Sequence, residues 1–376
     1  MNNFEIKTRI KFGEGSLKVL QELKNKNVLI ITDPFMVKSK TIDKITSNLI
    51  NSTYQVFEEI VPDPPIEVVV AGIEAFKSIN PDVIIALGGG SAIDAAKSIM
   101  DFSKKILKIN EVEFIAIPTT SGTGSEVTSF AVITDSQKKC KYPLVSDDLL
   151  PDMAILDPEL VKTVPNFITA DTGMDVLTHA IEAYVSTNSN DFSDALAEKS
   201  IKLVFKYLIK AYKDGNDIEA REKMHNASCL AGMAFNQASL GINHSIAHVL
   251  GGKFHIPHGR TNSILLPHVI EYNSSIVGYT NTTYSDTAKK YAQIAELVGL
   301  GSANIRISVR NLVNEIKKLQ KEMNMPTKLT QCKLSLEDIT NEEREIAKLA
   351  IKDTCTLTNP KVPTEDDIIN ILNNIK

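Results

Sequence analysis

Two patterns of apolar residues divide the chain. Before residue 165, four short runs are almost continuously apolar. They are Asn27 to Asp33 (NVLIITD), Asp82 to Leu87 (DVIIAL), Phe114 to Ile117 (FIAI, stopped by Pro118) and Met153 to Leu156 (MAIL). Runs of this length suit strands buried on both faces, as in a parallel sheet. Helical patterns lie between them, over Glu67 to Ile79 and Ala92 to Met100. The alternation predicts an open α/β layer. Past residue 166 the spacing becomes helical: Val204, Tyr207, Leu208 and Ala211; Ala288, Tyr291, Ile294 and Ala295; Leu312, Val313, Ile316 and Leu319. Strand-like runs nearly vanish. The change predicts a boundary near Pro165, with an α/β domain over 1–165 and an all-helical domain over 166–376.

Two loops of the first domain carry candidate chemistry. The second apolar run feeds Gly88-Gly89-Gly90 and then a helix with Ser91 as its expected N-cap. Glycine lets backbone approach a ligand, and a helix N-terminus offers N–H groups to a pyrophosphate. Asp94 and Lys97 follow on the first turns. The third run ends in Pro118-Thr119-Thr120-Ser121-Gly122-Thr123-Gly124-Ser125-Glu126, which is rich in hydroxyl and amide donors. It lies at the carboxyl end of the expected sheet, where open α/β folds bind ligands. Asp33 ends the first run. A carboxylate there could hold ribose hydroxyls and repel a 2′-phosphate, or simply cap a turn. Lys138, Lys139 and Lys141 read as a solvated loop.

The histidines give the stronger signal. All seven fall between residues 179 and 268. Asp175 and His179 are spaced i, i+4, as are His244 and His248, and His258 follows ten residues later. On helices such pairs share a face and could grip one ion. A carboxylate with several imidazoles suits Zn²⁺ or Fe²⁺ better than Ca²⁺ or Mg²⁺. Spacing alone does not choose between His244 and His248 as ligand. His225, His255 and His268 are read as structural.

Composition narrows the setting. Lys and Arg total 41 against 46 Asp and Glu, a formal charge of −5, with 43% hydrophobic and 23% charged residues. That argues against a basic nucleic-acid binder and against disorder. No apolar run reaches a membrane span. Residues Met1 to Ile10 are polar and mixed in charge, unlike a secretory signal. Four scattered cysteines, Cys140, Cys229, Cys332 and Cys355, read as mostly buried thiols in a reducing compartment, so a cytoplasmic protein is expected.

Together the Gly88–Ser91 turn, the Thr119–Glu126 loop, GMDVLTHAIEAY at 173–184 and NHSIAHVLGGKFHIPHGRTNSILLPHV at 243–269 resemble the iron-containing (group III) alcohol dehydrogenases over essentially the whole chain. The N-terminal FEIKTRIKFGEGSL, PDMAILDPELV at 151–161 and KMHNASCLAGMAFNQASLG at 223–241 look most like members that act on 1-propanol in propanediol-utilising bacterial microcompartments. The resemblance implies a Rossmann-like parallel-sheet domain followed by a helical domain. It implies NAD as cofactor and Fe²⁺ as metal, with Zn²⁺ as the other ion the site would accept. Asp175, His179, His244 and His258 would be the ligands, and His248 the catalytic proton relay beside the substrate. Asp33, Gly89, Gly90, Ser91, Asp94, Thr119, Thr120, Thr128 and Lys141 would line the cofactor site. Asp63 stands where many relatives carry Asn, which puts that loop's cofactor contact in question.

The implied substrate is a small primary alcohol or aldehyde, 1-propanol or propanal. A homodimer or larger homo-oligomer is expected, and a microcompartment, with its shell or lumen proteins as partners, is an alternative location. Two rival readings are a polyol (glycerol-type) dehydrogenase and a metal-free scaffold on the same fold. A cyclising lyase acting on a phosphorylated acid would need more basic residues around 173–269 than Arg221, Lys223, Lys253 and Arg260.

Overall fold

The four apolar runs become the centre of one parallel sheet in the computed structural model, which describes residues 4–108, 111–136, 140–276 and 283–376. Residue contacts divide the chain into two units, one ending at Val164 and the other starting at Pro165. The first unit contains β1 (Arg9–Phe12), β2 (Asn27–Thr32), β3 (Thr53–Phe57), β4 (Val83–Gly88), β5 (Glu113–Pro118), β6 (Phe130–Asp135), β7 (Cys140–Val145) and β8 (Met153–Leu156). Six strands form a parallel sheet in the order β1-β8-β5-β4-β2-β3. Its helices are the short α1 (Pro34–Lys38) and α2 (Asp43–Thr46), then α3 (Ile66–Ile79) and α4 (Gly90–Leu107).

Alternation within the central strands shows why both faces had to be apolar. Leu29, Ile31, Ile84, Ala86, Phe114 and Ala116 pack with Phe76, Ile93 and Ile99 of α3 and α4. Val28, Ile30, Val83, Ile85, Leu87, Ile115 and Ile117 pack on the other face with Leu17, Leu20 and Ile45. Strands covered on both faces cannot show a polar period of two, so they read as continuous runs.

Several details differ from the expectation. Edge strands β1 and β3 and the antiparallel hairpin β6–β7 add to the predicted strands. Ser91 is not the N-cap of α4. Gly89 holds that position, without a side-chain cap, because Gly88 at φ 152° turns the chain at once after β4. A Cβ at Gly88 would also lie 2.7 Å from Ala92 Cβ, so the turn requires glycine. Lys141 lies on β7 rather than in a loop. Lys138 and Lys139 lie outside the described residues, as does the side chain of Cys140. Cys229 is a buried free thiol, and Cys332 and Cys355 are partly buried ones.

The second unit contains α5 (Asn166–Val185), α6 (Asp191–Lys213), α7 (Ile218–Ala238), α8 (Ile242–Phe254), α9 (His258–Ser274), α10 (Asp286–Leu297), α11 (Ile305–Glu322), α12 (Leu336–Lys352) and α13 (Glu365–Ile375). Among the described residues it has no strand. Helix α5 is buried nearly all round from Thr169 onward, packed by α6, α7 and α9. Gly173 permits that closeness: a Cβ there would lie 2.2 Å from Leu208 Cδ1 of α6. No described helix is long and apolar enough to cross a membrane.

Candidate active site

At the carboxyl end of the parallel sheet the two small-residue loops meet. A Cβ on Gly89 would lie 3.3 Å from Thr120 Oγ1, and one on Gly90 would lie 2.8 Å from Thr123 Cγ2. The Thr119 backbone N–H donates to the Gly88 carbonyl at 3.0 Å. Asp33 joins this end from β2. Its Oδ1 accepts from the Phe35 and Met36 N–H groups at 2.8 and 3.1 Å and so caps α1. Its Oδ2 faces Gly88, 3.5 Å from where a Cβ would stand. Asp33, Gly89, Gly90, Thr119 and Thr120 therefore lie together at this end of the sheet, beside the start of α4, which has no side-chain cap and has Ser91 as its second residue.

Other residues from the sequence reading turn inward to brace that loop. Asp94 accepts from Ser125 Oγ at 2.5 Å and from the Val132 N–H at 3.0 Å. Lys97, fully buried, donates to the carbonyls of Thr128 and Phe130, each at 2.7 Å, and to Thr128 Oγ1 at 3.2 Å. Burial pulls its ammonium down to about 8 despite the opposing charges of Asp94 and Glu126. Burial likewise pushes Glu126 up to about 7. Thr128 is buried, and its contact with Lys97, like those of Asp94 with Ser125 and Val132, braces the loop. Lys141 reaches Asp63 at 2.7 Å, so the departure at residue 63 supplies an ion-pair partner.

The second unit brings the spaced histidines together. Asp175, His179, His244 and His258 each offer a ligand atom, and these atoms all lie within 4.8 Å of one another. Helix α5 presents Asp175 and His179 one turn apart. Helix α8 contributes His244, and His258 opens α9. The Asp175 carboxylate lies 3.8 Å from His244 Nε2 and 3.6 Å from His258 Nε2. The His179 ring stacks between Phe235 and His244 at centroid distances of 4.6 and 4.5 Å. Burial, and then the neighbouring His179, His258 and His248, hold His244 well below its ordinary pKa. A neutral imidazole keeps the lone pair that a metal needs. Three imidazoles and one carboxylate, mostly buried, fit a borderline divalent ion such as Zn²⁺ or Fe²⁺.

His248 stands apart from this set, as its position on α8 requires. Its ring lies 6.0 Å from His244 and stacks on His258 at 5.5 Å. Its Nδ1 bonds Asp353 Oδ2 at 2.9 Å, and its side chain is 40% exposed. Burial would raise the Asp353 pKa, but the hydrogen bond and charge of His248, with the Cys355 N–H, bring it down to about 2. His225, His255 and His268 are not in the cluster.

Sequence reasoning missed three neighbours of the site. Glu182, one turn past His179, accepts from the Asn243 N–H at 2.7 Å and meets His244 Nδ1 at 2.5 Å. Burial pushes its carboxyl up to about 8 against the backbone N–H groups of Asn243, Gly241 and His244. A carboxyl group hydrogen-bonded behind an imidazole holds the orientation of that ring. Asn262 was legible as i+4 from His258. Asp353 carried no local signal, because 105 residues separate it from His248.

Comparison with known proteins gives consistent matches. A family model described as iron-containing alcohol dehydrogenase matches residues 7–158. A second, for the C-terminal part of the Fe-containing alcohol dehydrogenase family, matches residues 169–375. The chain is 48% identical over 365 residues to 1-propanol dehydrogenase PduQ of Citrobacter freundii, covering 96% of both chains. It is 41% identical over 388 residues to the NADPH-dependent butanol dehydrogenase of Clostridium saccharobutylicum, covering 99% of this chain and 97% of the other. The solved structure of a 1,3-propanediol oxidoreductase shares its fold with a TM-score of 0.89 at 32% identity, covering 100% of both chains.

Proposed function

The chain belongs to the iron-containing alcohol dehydrogenase family, an oxidoreductase family, and from that premise we propose that it interconverts short-chain primary alcohols and aldehydes, 1-propanol and propanal first among them. In this reading the unit ending at Val164 binds NAD(H), and the unit from Pro165 holds one divalent ion, Fe²⁺ or Zn²⁺. The observation that carries it is the cluster of Asp175, His179, His244 and His258, with Glu182 behind His244. A bound ion supplies Lewis acidity to the substrate oxygen, and a bound nicotinamide gives or takes the hydride.

The chain's own residues supply the rest. The four ligands come from three packed helices, which fixes their spacing before substrate arrives. Asp353 holds the Nδ1 proton of His248, which leaves Nε2 free to give or take the substrate's proton. In the first unit the amides at the start of α4 and the hydroxyls of Thr119 and Thr120 would receive the pyrophosphate, and Asp33 the adenosine ribose. Asp94 and Thr128 keep that loop in shape, and Lys141 carries its charge beside Asp63.

An activity panel tests the whole reading. Protein loaded anaerobically with Fe²⁺, and separately with Zn²⁺, should reduce propanal with NADH, and metal-stripped protein should not. Preferred turnover of glycerol would move the assignment to a polyol dehydrogenase. Failure with every alcohol and aldehyde would leave a scaffold.

Cofactor choice rests on Asp33, since one relative is named for NADPH dependence and likeness alone does not decide. The Asp33 charge opposes a 2′-phosphate, so NADH should be preferred. Asp33→Gly should narrow the preference by on the order of tenfold or more, as expected for relieving one close charge repulsion. The ratio of kcat/KM for the two cofactors measures it. Wild-type protein that used both equally would refute this role for Asp33.

A further inference from the structure

A second group of metal-binding side chains stands in the same unit as the first. His248, Asp353 and Cys355 each offer a ligand atom, and these atoms all lie within 4.8 Å of one another. The carboxylate is already aimed. Asp353 Oδ1 accepts from the Cys355 N–H at 2.9 Å and from Ser245 Oγ at 3.3 Å. Its Oδ2 is thereby turned to His248 Nδ1, at 2.9 Å. Asp353 also caps the 3₁₀ turn Thr354–Thr358, which fixes the backbone of Cys355 two residues on. Rotation about one bond, Cα–Cβ, then sweeps the Cys355 sulfur without moving that backbone. The His248 side chain is 40% exposed, so an ion can reach the group from solvent.

The donors select the ion. A thiolate, an imidazole and a carboxylate suit Zn²⁺, and the sulfur sets them apart from the cluster of Asp175, His179, His244 and His258, which offers only nitrogen and oxygen. The hydrogen bond between His248 and Asp353 is no barrier, since both of its heavy atoms are themselves ligand atoms and an ion takes the place of the proton between them. Bonds of about 2.0–2.2 Å to nitrogen and oxygen and about 2.3 Å to sulfur draw the three atoms closely together, a movement the Cys355 rotation supplies. Burial, and then the charges of Asp353 and Glu182, push the Cys355 thiol well above its ordinary pKa. A bound cation reverses this, because a coordinating thiol loses its proton outright. Three donors partly open to solvent hold an ion less tightly than four mostly buried ones, so this ion should bind second.

We propose that His248, Asp353 and Cys355 form a second, inhibitory metal site, which takes Zn²⁺ or another thiophilic divalent ion when that ion is in excess. An ion there occupies the imidazole that serves as proton relay and severs its bond to Asp353. That consequence rests on the function proposed above, whereas the binding itself does not. One equivalent of Zn²⁺ should therefore sustain turnover, and excess should suppress it. Fe²⁺, lower in the general affinity order, should suppress it less at the same concentration.

Cobalt reports the two sites separately. Metal-stripped protein is titrated with Co²⁺ past two equivalents while its absorption is followed. The first cluster has no sulfur, so the sulfur-to-cobalt charge-transfer band in the near ultraviolet should appear only with the second equivalent. Cys355→Ala should take the first equivalent and never show the band. Fe²⁺-loaded enzyme is then assayed with propanal and NADH at rising Zn²⁺. Half-inhibition of Cys355→Ala should need at least about tenfold more Zn²⁺ than wild type, since outer partners of a ligand are alone worth about 10–100-fold and a ligand no less. Absence of the band from wild type, or its survival in Cys355→Ala, would overturn the second site. The wild-type spectrum decides this even if the variant does not fold. A band with turnover unchanged by Zn²⁺, or equal Zn²⁺ sensitivity in the two proteins, would overturn the inhibition. A band that accompanies the only equivalent bound would instead sink the four-ligand reading of the first cluster and leave this site standing.

Discussion

Gly259→Ala should lose its metal ion although every ligand residue is still present. Gly259 is the second residue of α9, directly after His258. A Cβ there would lie 2.1 Å from the Asp171 carbonyl oxygen, 2.7 Å from the Asp171 carbonyl carbon and 3.2 Å from Asp175 Cβ. Two of these atoms are backbone of α5, which cannot rotate away as a side chain end could. The start of α9 must therefore move off α5, and His258 would move away from Asp175. The pair Arg260–Asp171, with contacts of 3.2 and 2.9 Å, now clamps the same junction and would be stretched. Overpacking of this kind typically costs about 1–3 kcal/mol of stability. The loss of affinity should be at least about 10–100-fold, so dialysed protein should retain little metal. Metal content by atomic emission, read beside circular dichroism and the melting temperature, separates this from unfolding. A folded Gly259→Ala protein with a full complement of metal and normal turnover would show that the close approach of the two helices is unnecessary.

His248→Phe should behave in the opposite way, keeping its metal and losing its chemistry. Four donors already converge without it, and a further bond from His248 would fill the position a substrate oxygen needs. Phenylalanine preserves the ring that stacks on His258 but cannot carry a proton. Turnover should fall by about 10²–10⁴-fold, with metal content and NADH binding retained. Loss of metal would make His248 a ligand, and loss of stability with normal turnover would make it a packing residue. The pH profile adds a second readout. Asp353, held down to about 2, stays ionised through the working range, so a break in the wild-type acid limb cannot come from its protonation. If His248 is the relay, that break should vanish in His248→Phe.

Apolar runs and helical spacing made the central strands and the clustered histidines legible in the sequence, whereas the direction a polar side chain faces and a single distant partner were not. The four central strands show as apolar runs because helices cover both their faces. The pairs Asp175–His179 and His244–His248 show because four residues make one helical turn. Edge strand β1 has only four residues, with no buried one among them, so its pattern does not stand out from a loop. The β6–β7 hairpin was readable in principle, since Ala131 and Ile133 are buried on either side of exposed Val132. Ser91 looked like a cap because capping depends on where the strand ends, and the φ of Gly88 decides that. The braces Asp94, Lys97 and Thr128 could be seen as polar residues beside a candidate loop, but not which way they face. Asp353 meets His248 only through tertiary structure, and no spacing rule reaches across that distance.

The cap that Asp33 places on α1 constrains which neighbouring sequences evolution can try. One carboxylate oxygen serves the helix and the other faces the glycine turn, so residue 33 answers to two selections at once. An N-cap exchanged for alanine costs about 0.5–2 kcal/mol, whereas glycine costs only a few tenths and asparagine caps as well as aspartate. A lineage drifting toward the phosphorylated cofactor therefore has two inexpensive uncharged exits from Asp33, glycine and asparagine. Larger apolar residues there would remove the same charge, yet they would leave the Phe35 and Met36 amides without their partner. Cofactor preference in descendants of this sequence should change through those two doors, since a position chosen for recognition is policed by the folding of a five-residue helix.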